Sequence, residues 1–184
     1  MEKKIFVTSD THFWHNREFL WQPRGFNSVL EMNKEIINRW NSVVRYDDEV
    51  YLLGDLMLNN NDEGMRCLRQ LNGNIHIILG NHDTDTRVDL YRDARYNIDV
   101  IGYATIIKYK GYHFYLSHYP TLTSNLDADK PLKARILNIC GHSHTQDPFA
   151  DWDKGYIFHA ELDTNNCYPW LLDDIIEKIK EKIN

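Results

Sequence analysis

The chain has 184 residues, of which 42% are hydrophobic and 26% are charged. These fractions are ordinary for a globular protein, so they exclude a disordered or fibrous chain, and the length predicts a single domain over residues 1–184. The formal net charge of −6 argues against general binding to nucleic acids or anionic membranes, because both begin with a basic surface. Three widely spaced cysteines and the lack of a long apolar run predict a cytoplasmic protein with reduced thiols and no signal peptide or membrane anchor.

Short apolar runs alternate with helical periodicity in the first half of the chain. The runs predict strands at residues 5–7, 49–53 and 75–79, and each is followed by polar residues. Apolar residues at helical spacing predict helices over residues 28–44 and 63–71, the second of them stopped by Gly73. The order of these elements favours a parallel sheet with crossover helices.

The second half of the chain is richer in predicted strands. Residues 98–117 have the pattern of a β-hairpin that turns at Lys110-Gly111. Further strands are predicted at 136–139 and 155–160, and an apolar stripe predicts an amphipathic helix from 171 to 183. The whole pattern is therefore that of an α/β protein with both parallel and antiparallel strands.

Polar side chains with metal-binding chemistry follow these strands at five places. They are Asp10-Thr11-His12, Gly54-Asp55, Gly80-Asn81-His82-Asp83, His118 and Gly141-His142-Ser143-His144. Since ligands bind at the carboxyl ends of strands in open α/β sheets, the five places are expected to meet in space. An extended backbone in Asp-x-His and His-x-His would turn both side chains to one side. Carboxylate, imidazole and amide donors together suit Mn²⁺, Fe or Zn²⁺.

This series of motifs, in this order, resembles the calcineurin-like metallophosphoesterase family, and in particular its small single-domain bacterial and phage members. The resemblance covers residues 10–144, most of the chain. It implies a four-layer α/β/β/α sandwich with two mixed sheets and a site for two divalent metal ions at the strand ends. Mn²⁺ is the expected metal, and Fe, Ni²⁺ and Zn²⁺ would also accept these ligands.

The resemblance also implies a role for each motif residue. One metal would be held by Asp10, His12 and His144, the other by Asn81, His118 and His142, and Asp55 would bridge them. His82 would contact the phosphoryl oxygens or protonate the leaving group, with Asp83 orienting its ring.

Physical chemistry gives the same motifs a mechanism. Two cations about 3.5–4 Å apart need a shared anionic donor, and Asp55 is the carboxylate suitably placed for that. Bridging the metals would lower the pKa of a water molecule towards about 7, which supplies hydroxide for attack on phosphorus. The leaving group then needs a proton, for which a histidine such as His82 has a suitable pKa.

Several residues outside the metal set are candidates for substrate contact. Small family members often read D-T-H-F-G-H-x-N at the first motif, whereas this chain reads DTHFWHNREF. His15 keeps the pattern and is expected to face substrate, while Arg17 would contact phosphate or remain solvated. Trp14, Trp21 and Phe26 are candidates for stacking on a nucleobase. Arg135 could hold a phosphate, but a solvated surface position is favoured.

Substrate class is narrowed by what the motifs lack. Protein phosphatases of this family read G-D-x-x-D-R-G, and here that stretch is GDLMLNN. The missing arginine argues against a protein phosphatase, and G-N-H-D is more similar to the phosphodiesterase branch. The sequence therefore predicts a metal-dependent hydrolase of small, nucleotide-like phosphoesters, with a diester preferred. The alternatives are a nuclease acting on strand ends and a metal-poor interaction module with the same fold.

Overall fold

A computed structural model describes residues 2–94, 97–123 and 130–183. The first part of the chain forms β1 (Ile5–Thr8), α1 (Glu18–Trp21), α2 (Val29–Val43), β2 (Glu49–Leu53), α3 (Asn61–Leu68), β3 (Asn74–Ile78), α4 (Asp85–Arg92) and β4 (Ile98–Gly102). The remainder forms β5 (Ala104–Tyr109), β6 (Tyr112–Ser117), β7 (Ile136–Cys140), α5 (Trp152–Gly155), β8 (Ile157–His159), β9 (Trp170–Leu171) and α6 (Leu172–Ile183).

These strands form two mixed sheets. The five-stranded sheet has the order β4-β3-β2-β1-β9, in which β1 to β4 are parallel and β9 runs antiparallel to β1. The four-stranded sheet has the order β5-β6-β7-β8, and only its β5–β6 pair is antiparallel. The predicted α/β class with two mixed sheets is confirmed.

Two apolar cores cover the two faces of the five-stranded sheet. On one face, Phe6 and Val50 pack in a cluster with Trp40 and other side chains of α2, α3 and α4. On the other face, Val7 packs in a cluster with Phe114 of the second sheet and with the apolar stripe of α6. Alternate residues of β1 thus face opposite cores, as the period of a strand requires. This layering agrees with the predicted sandwich.

Local sequence explains the best-predicted helix. Ser28 accepts a hydrogen bond from the backbone N–H of Glu31 and caps α2, whose observed span lies within the predicted 28–44. The strands at β1, β2, β3 and β7 lie within one residue of their predicted bounds. Helix α3 begins and ends earlier than predicted: Asn60 caps its N-terminus, and the helix ends at Leu68, well before Gly73.

The predicted hairpin is wrong in its first strand. Residues 98–109 are split at Tyr103 into β4 and β5, which belong to different sheets. Gly102 adopts a φ of 132°, a conformation open mainly to glycine, and it directs the chain from one sheet to the other. Only β5 and β6 form a hairpin, turning at Lys110 and Gly111 as predicted.

Four short elements were not predicted from the sequence: α1, α4, α5 and β9. Of these, α4 matters most for the site, because it follows the Gly80-to-Asp83 motif directly and buries Val88 and Tyr91. No helix among the described residues is long and apolar enough to cross a membrane.

The ends of β2 and β3 approach each other closely at Gly54. Its φ is 87°, and a Cβ placed on it would lie 2.5 Å from the backbone nitrogen of Gly80 and 2.9 Å from Nδ1 of His118. Gly25 has a similar φ of 84°, but a Cβ there would meet nothing within 4 Å. A comparison of alanine substitutions at these two glycines therefore distinguishes the cost of a strained backbone from the cost of a steric clash.

We expect Gly54→Ala to cost at least about 2 kcal/mol more stability than Gly25→Ala. Both changes place an alanine in the left-handed region, at about 1–2 kcal/mol, but only the first also forces two backbones apart. Urea unfolding of the metal-free proteins measures the difference. Equal losses for the two variants would show that packing at Gly54 does not matter.

Candidate metal centre

The ends of five strands place the motif residues at one edge of the two sheets. Asp10, Asp55 and Asn81 follow β1, β2 and β3, while His118 and His142 follow β6 and β7. Backbone bonds join these strand ends, with the Asp10 nitrogen donating to Gly54 O at 3.1 Å and the Gly141 nitrogen to His118 O at 2.9 Å. The predicted convergence of the five motifs is therefore observed.

Asp10, His12 and His144 form the first group of candidate ligands, with ligand atoms that lie within 4.8 Å of one another. Nε2 of His12 and Nε2 of His144 are 3.0 Å apart, and they lie 3.5 and 3.6 Å from Oδ1 of Asp10. Oδ1 of Asp10 is buried and has no hydrogen-bond partner among the described residues. A buried carboxylate oxygen facing two imidazole nitrogens fits a bound cation, which would satisfy all three atoms.

Asp55, His118 and His142 form the second group. Nε2 of His118 lies 3.2 Å from Nδ1 of His142 and 3.0 Å from Oδ1 of Asn81. Nδ1 of His118 lies 2.8 Å from the carbonyl oxygen of Leu53, so this nitrogen carries the proton and Nε2 presents its lone pair. This group also fits a divalent cation, with the Asn81 amide oxygen as an additional donor.

The carboxylate of Asp55 lies between the two groups. Its Oδ2 is 3.8 Å from Nε2 of His12 in the first group and 3.6 Å from Nε2 of His118 in the second. Its Oδ1 accepts a hydrogen bond from the backbone nitrogen of His82 at 2.9 Å. One oxygen is thus fixed by the backbone, and the other faces both groups.

The candidate ligands converge through left-handed backbone rather than through the extended backbone that the sequence analysis assumed. Five of them have positive φ: Asp10 (57°), His12 (47°), Asp55 (54°), His142 (76°) and His144 (48°). Asp and His enter this region more readily than most residues, but each such position is strained by about 1 kcal/mol or more. The expectation of extended Asp-x-His and His-x-His segments was wrong, because the backbone of both segments turns sharply after its strand.

Burial and neighbouring charges shift the pKa values of the candidate ligands in different directions. Burial lowers the pKa of His12, and burial together with the neighbouring His118 lowers the pKa of His142. Burial alone would raise the pKa of Asp10, but the hydrogen bond and charge of His12 outweigh it and hold that pKa below its usual range. These shifts favour a neutral imidazole at His12 and His142 and an ionised carboxylate at Asp10. Burial alone would lower the pKa of His144, but its hydrogen bond to Asp163 and the nearby carboxylates outweigh burial and raise that pKa.

His82 lies beside both groups, with its side chain 42% exposed. Its Nε2 is 3.9 Å from Oδ2 of Asp55, and its ring centroid is 5.7 Å from that of His12. Its carbonyl oxygen accepts a hydrogen bond from Nη1 of Arg87, whose Nε bonds Oδ1 of Asn61. The backbone of His82 is therefore held on both sides, while its ring is open to solvent.

Asp83 has other partners than the ring of His82. Its buried carboxylate accepts hydrogen bonds from the backbone nitrogens of Asp55, Leu56 and Gly80, at 2.8, 3.3 and 2.9 Å, and from the Tyr91 hydroxyl at 2.8 Å. The expected orientation of the His82 ring by Asp83 has no contact to support it among these bonds. Asp83 instead ties the ends of β2 and β3 together.

The candidates for substrate contact divide into rim and core residues. The His15 ring centroid is 5.2 Å from that of His12 and 6.5 Å from that of His82, and burial, with these neighbours, lowers the pKa of His15 to about 4. Arg17 is exposed at the start of α1. Phe26, by contrast, is buried in the core, and Trp14 and Trp21 pack partly buried against it. These three are poorly placed for stacking on a base.

Arg135 does not have the solvated position that the sequence favoured. Its side chain is buried, with the guanidinium 4.5 Å from the Tyr156 ring centroid and Nε donating to the carbonyl of Lys130. These contacts fix it beside the start of β7, so its charge serves packing there.

Sequence reasoning missed the residues that support the ligands. Nδ1 of His144 lies 3.1 Å from Oδ2 of Asp163, which is paired with Arg24. The carboxylate of Glu161 accepts from the Ser143 nitrogen at 3.1 Å and from Nδ1 of His159 at 3.0 Å. These residues lie in loops or at strand ends without periodicity, so no local pattern could have identified them.

Comparison with known proteins agrees with this geometry. Residues 4–159 match the sequence model of the calcineurin-like phosphoesterase superfamily domain. The chain belongs to the calcineurin-like phosphoesterase superfamily. An uncharacterised protein of Methanocaldococcus jannaschii is 35% identical over 97% of this chain and 93% of its own length.

Two solved structures share the fold of this phosphoesterase. A protein of unknown function from Aquifex aeolicus has a TM-score of 0.73 and 25% identity, covering 96% of this chain and 99% of its own. A novel archaeal phosphodiesterase has a TM-score of 0.52 and 19% identity, covering 88% and 86%. The predicted family is confirmed. Its members usually bind divalent metals, and the two groups of candidate ligands are suited to them.

We expect Asp83→Ala to lower the free energy of unfolding by about 3 kcal/mol or more, since three buried backbone donors would lose their acceptor at about 1–3 kcal/mol each. Tyr91→Phe, which removes only one of the four bonds, should cost about 1 kcal/mol. Urea unfolding of metal-free protein tests both. A loss below that of Tyr91→Phe would contradict the tying role of Asp83.

Proposed function

We propose that this protein is a metal-dependent phosphodiesterase that hydrolyses small, nucleotide-like esters at the centre described above. The position of Asp55 Oδ2, within 3.8 Å of an imidazole nitrogen from each group, carries the proposal, because a shared carboxylate suits a pair of cations. The ligands would be Asp10, His12 and His144 for one cation and Asn81, His118 and His142 for the other, with Asp55 shared.

Two bound cations would supply a nucleophilic hydroxide at neutral pH and neutralise charge on the phosphoryl oxygens. The donors are imidazoles, carboxylates and one amide oxygen, without thiolates. This mixture supports Mn²⁺, while Fe, Ni²⁺ and Zn²⁺ remain compatible with it.

In this proposal His82 donates the proton to the leaving group. Its ring is half-exposed beside Asp55, while its backbone nitrogen is fixed by Asp55 Oδ1 and its carbonyl by Arg87. A fixed backbone under an accessible imidazole is what a general acid needs in order to meet a bound ester oxygen. His15 would face the ester from the neighbouring side, and Arg17 at the rim would attract its negative charge.

Exposed aromatic rings on both sides of the centre support a nucleoside or aryl ester. Phe19 is 71% exposed and lies edge-on to His15 at 5.7 Å. Tyr119 is 50% exposed and lies 4.6 Å from the ring of His142. Large exposed aromatic side chains lose contact with water when a base stacks on them. They replace Trp14, Trp21 and Phe26 as the candidates for base contact.

A diester is preferred to a monoester in this proposal because the arginine of the protein-phosphatase motif is missing after Asp55. A nuclease acting on strand ends remains the second enzymatic candidate, but the net charge of −6 disfavours long strands. Three free cysteines support a reducing, cytoplasmic location.

We expect Asp55→Ala to lose bound metal and at least about 1,000-fold in turnover, since the shared donor contributes to both sites. His82→Ala should keep both metals and lose about 100- to 10,000-fold on an alkyl diester. Its loss on bis-p-nitrophenyl phosphate should be much smaller, because p-nitrophenolate leaves without a proton. Metal content and steady-state rates with Mn²⁺ measure these effects.

The control for these variants is His76→Ala, which removes a histidine that pairs with Glu49 and Asp99 away from the centre. It should retain full activity. Full activity of His82→Ala on the alkyl diester would exclude its role as acid. Wild-type protein that binds no Mn²⁺, Fe, Ni²⁺ or Zn²⁺ would favour the metal-poor interaction module instead.

Phe19→Ala should raise KM for a dinucleotide by about tenfold, because base stacking on an aromatic ring contributes about 1–3 kcal/mol. The KM for methyl p-nitrophenyl phosphate should change less than twofold if the ring contacts a base. Tyr46→Ala is the matched control, since Tyr46 is 63% exposed but lies before β2, at the opposite end of the sheet. Equal KM values for the dinucleotide in wild type and Phe19→Ala would remove Phe19 from the site.

A further inference from the structure

Arg24 is a buried cation in the loop between α1 and α2. Its side chain is 1% exposed, and that of its partner Asp163 is 9% exposed. The guanidinium donates to both carboxylate oxygens, from Nε at 2.9 Å and from Nη2 at 2.7 Å. Because burial strips both charges of water, such a pair is weak evidence of stabilisation, and another role for it has to be considered.

Both members of this pair contact the first ligand group. Nη2 of Arg24 also donates to the backbone carbonyl of Asp10 at 2.8 Å. Oδ2 of Asp163 accepts from Nδ1 of His144 at 3.1 Å. With its proton held on Nδ1, His144 directs the lone pair of Nε2 towards Oδ1 of Asp10. The pair therefore fixes the tautomer of one candidate ligand and the backbone of another.

The second ligand group is supported in a different way. His118 donates from Nδ1 to the backbone carbonyl of Leu53, and no contact of Arg24 or Asp163 with His118 or His142 is found among the described side chains. Any effect of the pair on metal binding should therefore be confined to the first group. A general structural role would not make that distinction.

We infer that Arg24 and Asp163 are positioning residues that set the metal affinity of the first group by holding His144 and Asp10 in place. This inference rests on the proposed metal-dependent function. Neither residue belongs to the five motifs, and Asp163 lies beyond residue 159, where the match to the superfamily ends. The pair thus lies outside the motif residues and joins the loop after the first motif to the segment after β8.

The test is a Mn²⁺ titration of chelator-stripped protein. Binding is measured by calorimetry and by competition with a fluorescent chelator. Wild type should bind two ions. Asp163→Ala should weaken one of the two sites by about 10- to 100-fold, the usual effect of removing the partner of a ligating histidine. The other site should change less than twofold. Arg24→Lys keeps the charge but loses the bidentate hydrogen bonding to Asp163. It should weaken the same site to a smaller degree.

A double variant identifies the weakened site. In a His144→Ala background the histidine that Asp163 holds is absent, so adding Asp163→Ala should weaken Mn²⁺ binding by less than about threefold. Asp48→Ala is the matched control, because it breaks another pair with a buried aspartate, Arg45–Asp48, located before β2. It should lower stability and leave both metal affinities unchanged.

The outcomes separate this inference from the proposed function. Folded Asp163→Ala with two wild-type affinities would overturn the positioning role and leave the metal centre standing. Equal weakening of both sites would overturn it as well, since that is the result of a general structural role. Wild-type protein without metal binding would overturn the proposed function itself. If Asp163→Ala does not fold, Asp163→Asn and Arg24→Lys carry the same comparison.

Discussion

The rest of the centre depends on the hydrogen bonds that the carboxylate of Asp83 accepts. It accepts three backbone hydrogen bonds, from Asp55 and Leu56 after β2 and from Gly80 after β3. Two strand ends are thereby held close enough for Asp55 to face both ligand groups, an approach that only a glycine at position 54 allows. Among these contacts, Asp83 reaches a candidate ligand only through the backbone nitrogen of Asp55. It acts by fixing the backbone nitrogens of Asp55 and Leu56, so that Oδ2 of Asp55 faces an imidazole nitrogen of each group.

Such support is needed because the backbone of the candidate ligands is strained and one of their buried oxygens lacks a hydrogen bond. Five of them occupy the left-handed region of backbone conformation, and Oδ1 of Asp10 is buried without a hydrogen-bond partner among the described residues. Strain of this kind persists only where surrounding contacts over-determine the backbone. Cations that bind the folded chain would offset part of this cost through mass action. The hydrogen bonds of Asp83 and the strained backbone of the candidate ligands are therefore complementary parts of one site.

Sequence patterns predicted the elements that depend on local chemistry. Helix α2 followed from its apolar spacing, and the structure adds its Ser28 cap. The five motifs followed from apolar runs that stop at polar residues. The failures arose where distant parts of the chain decide the outcome. Residues 98–109 have a continuous strand pattern, yet they divide at Tyr103 because their two halves pair with β3 and β6 in different sheets. Alternation along a strand carries no information about which sheet accepts it.

The same reasoning explains which site residues were found. Asp10, His12 and His144 carry metal-binding groups next to glycines or strand ends, so their chemistry is visible in the sequence. Arg24 and Asp163 lie 139 positions apart, and each alone has the composition of a solvated loop. Only the fold shows that they are buried together against His144. The candidate metal ligands can thus be inferred from motifs. The residues that hold these ligands in place are defined by tertiary contacts.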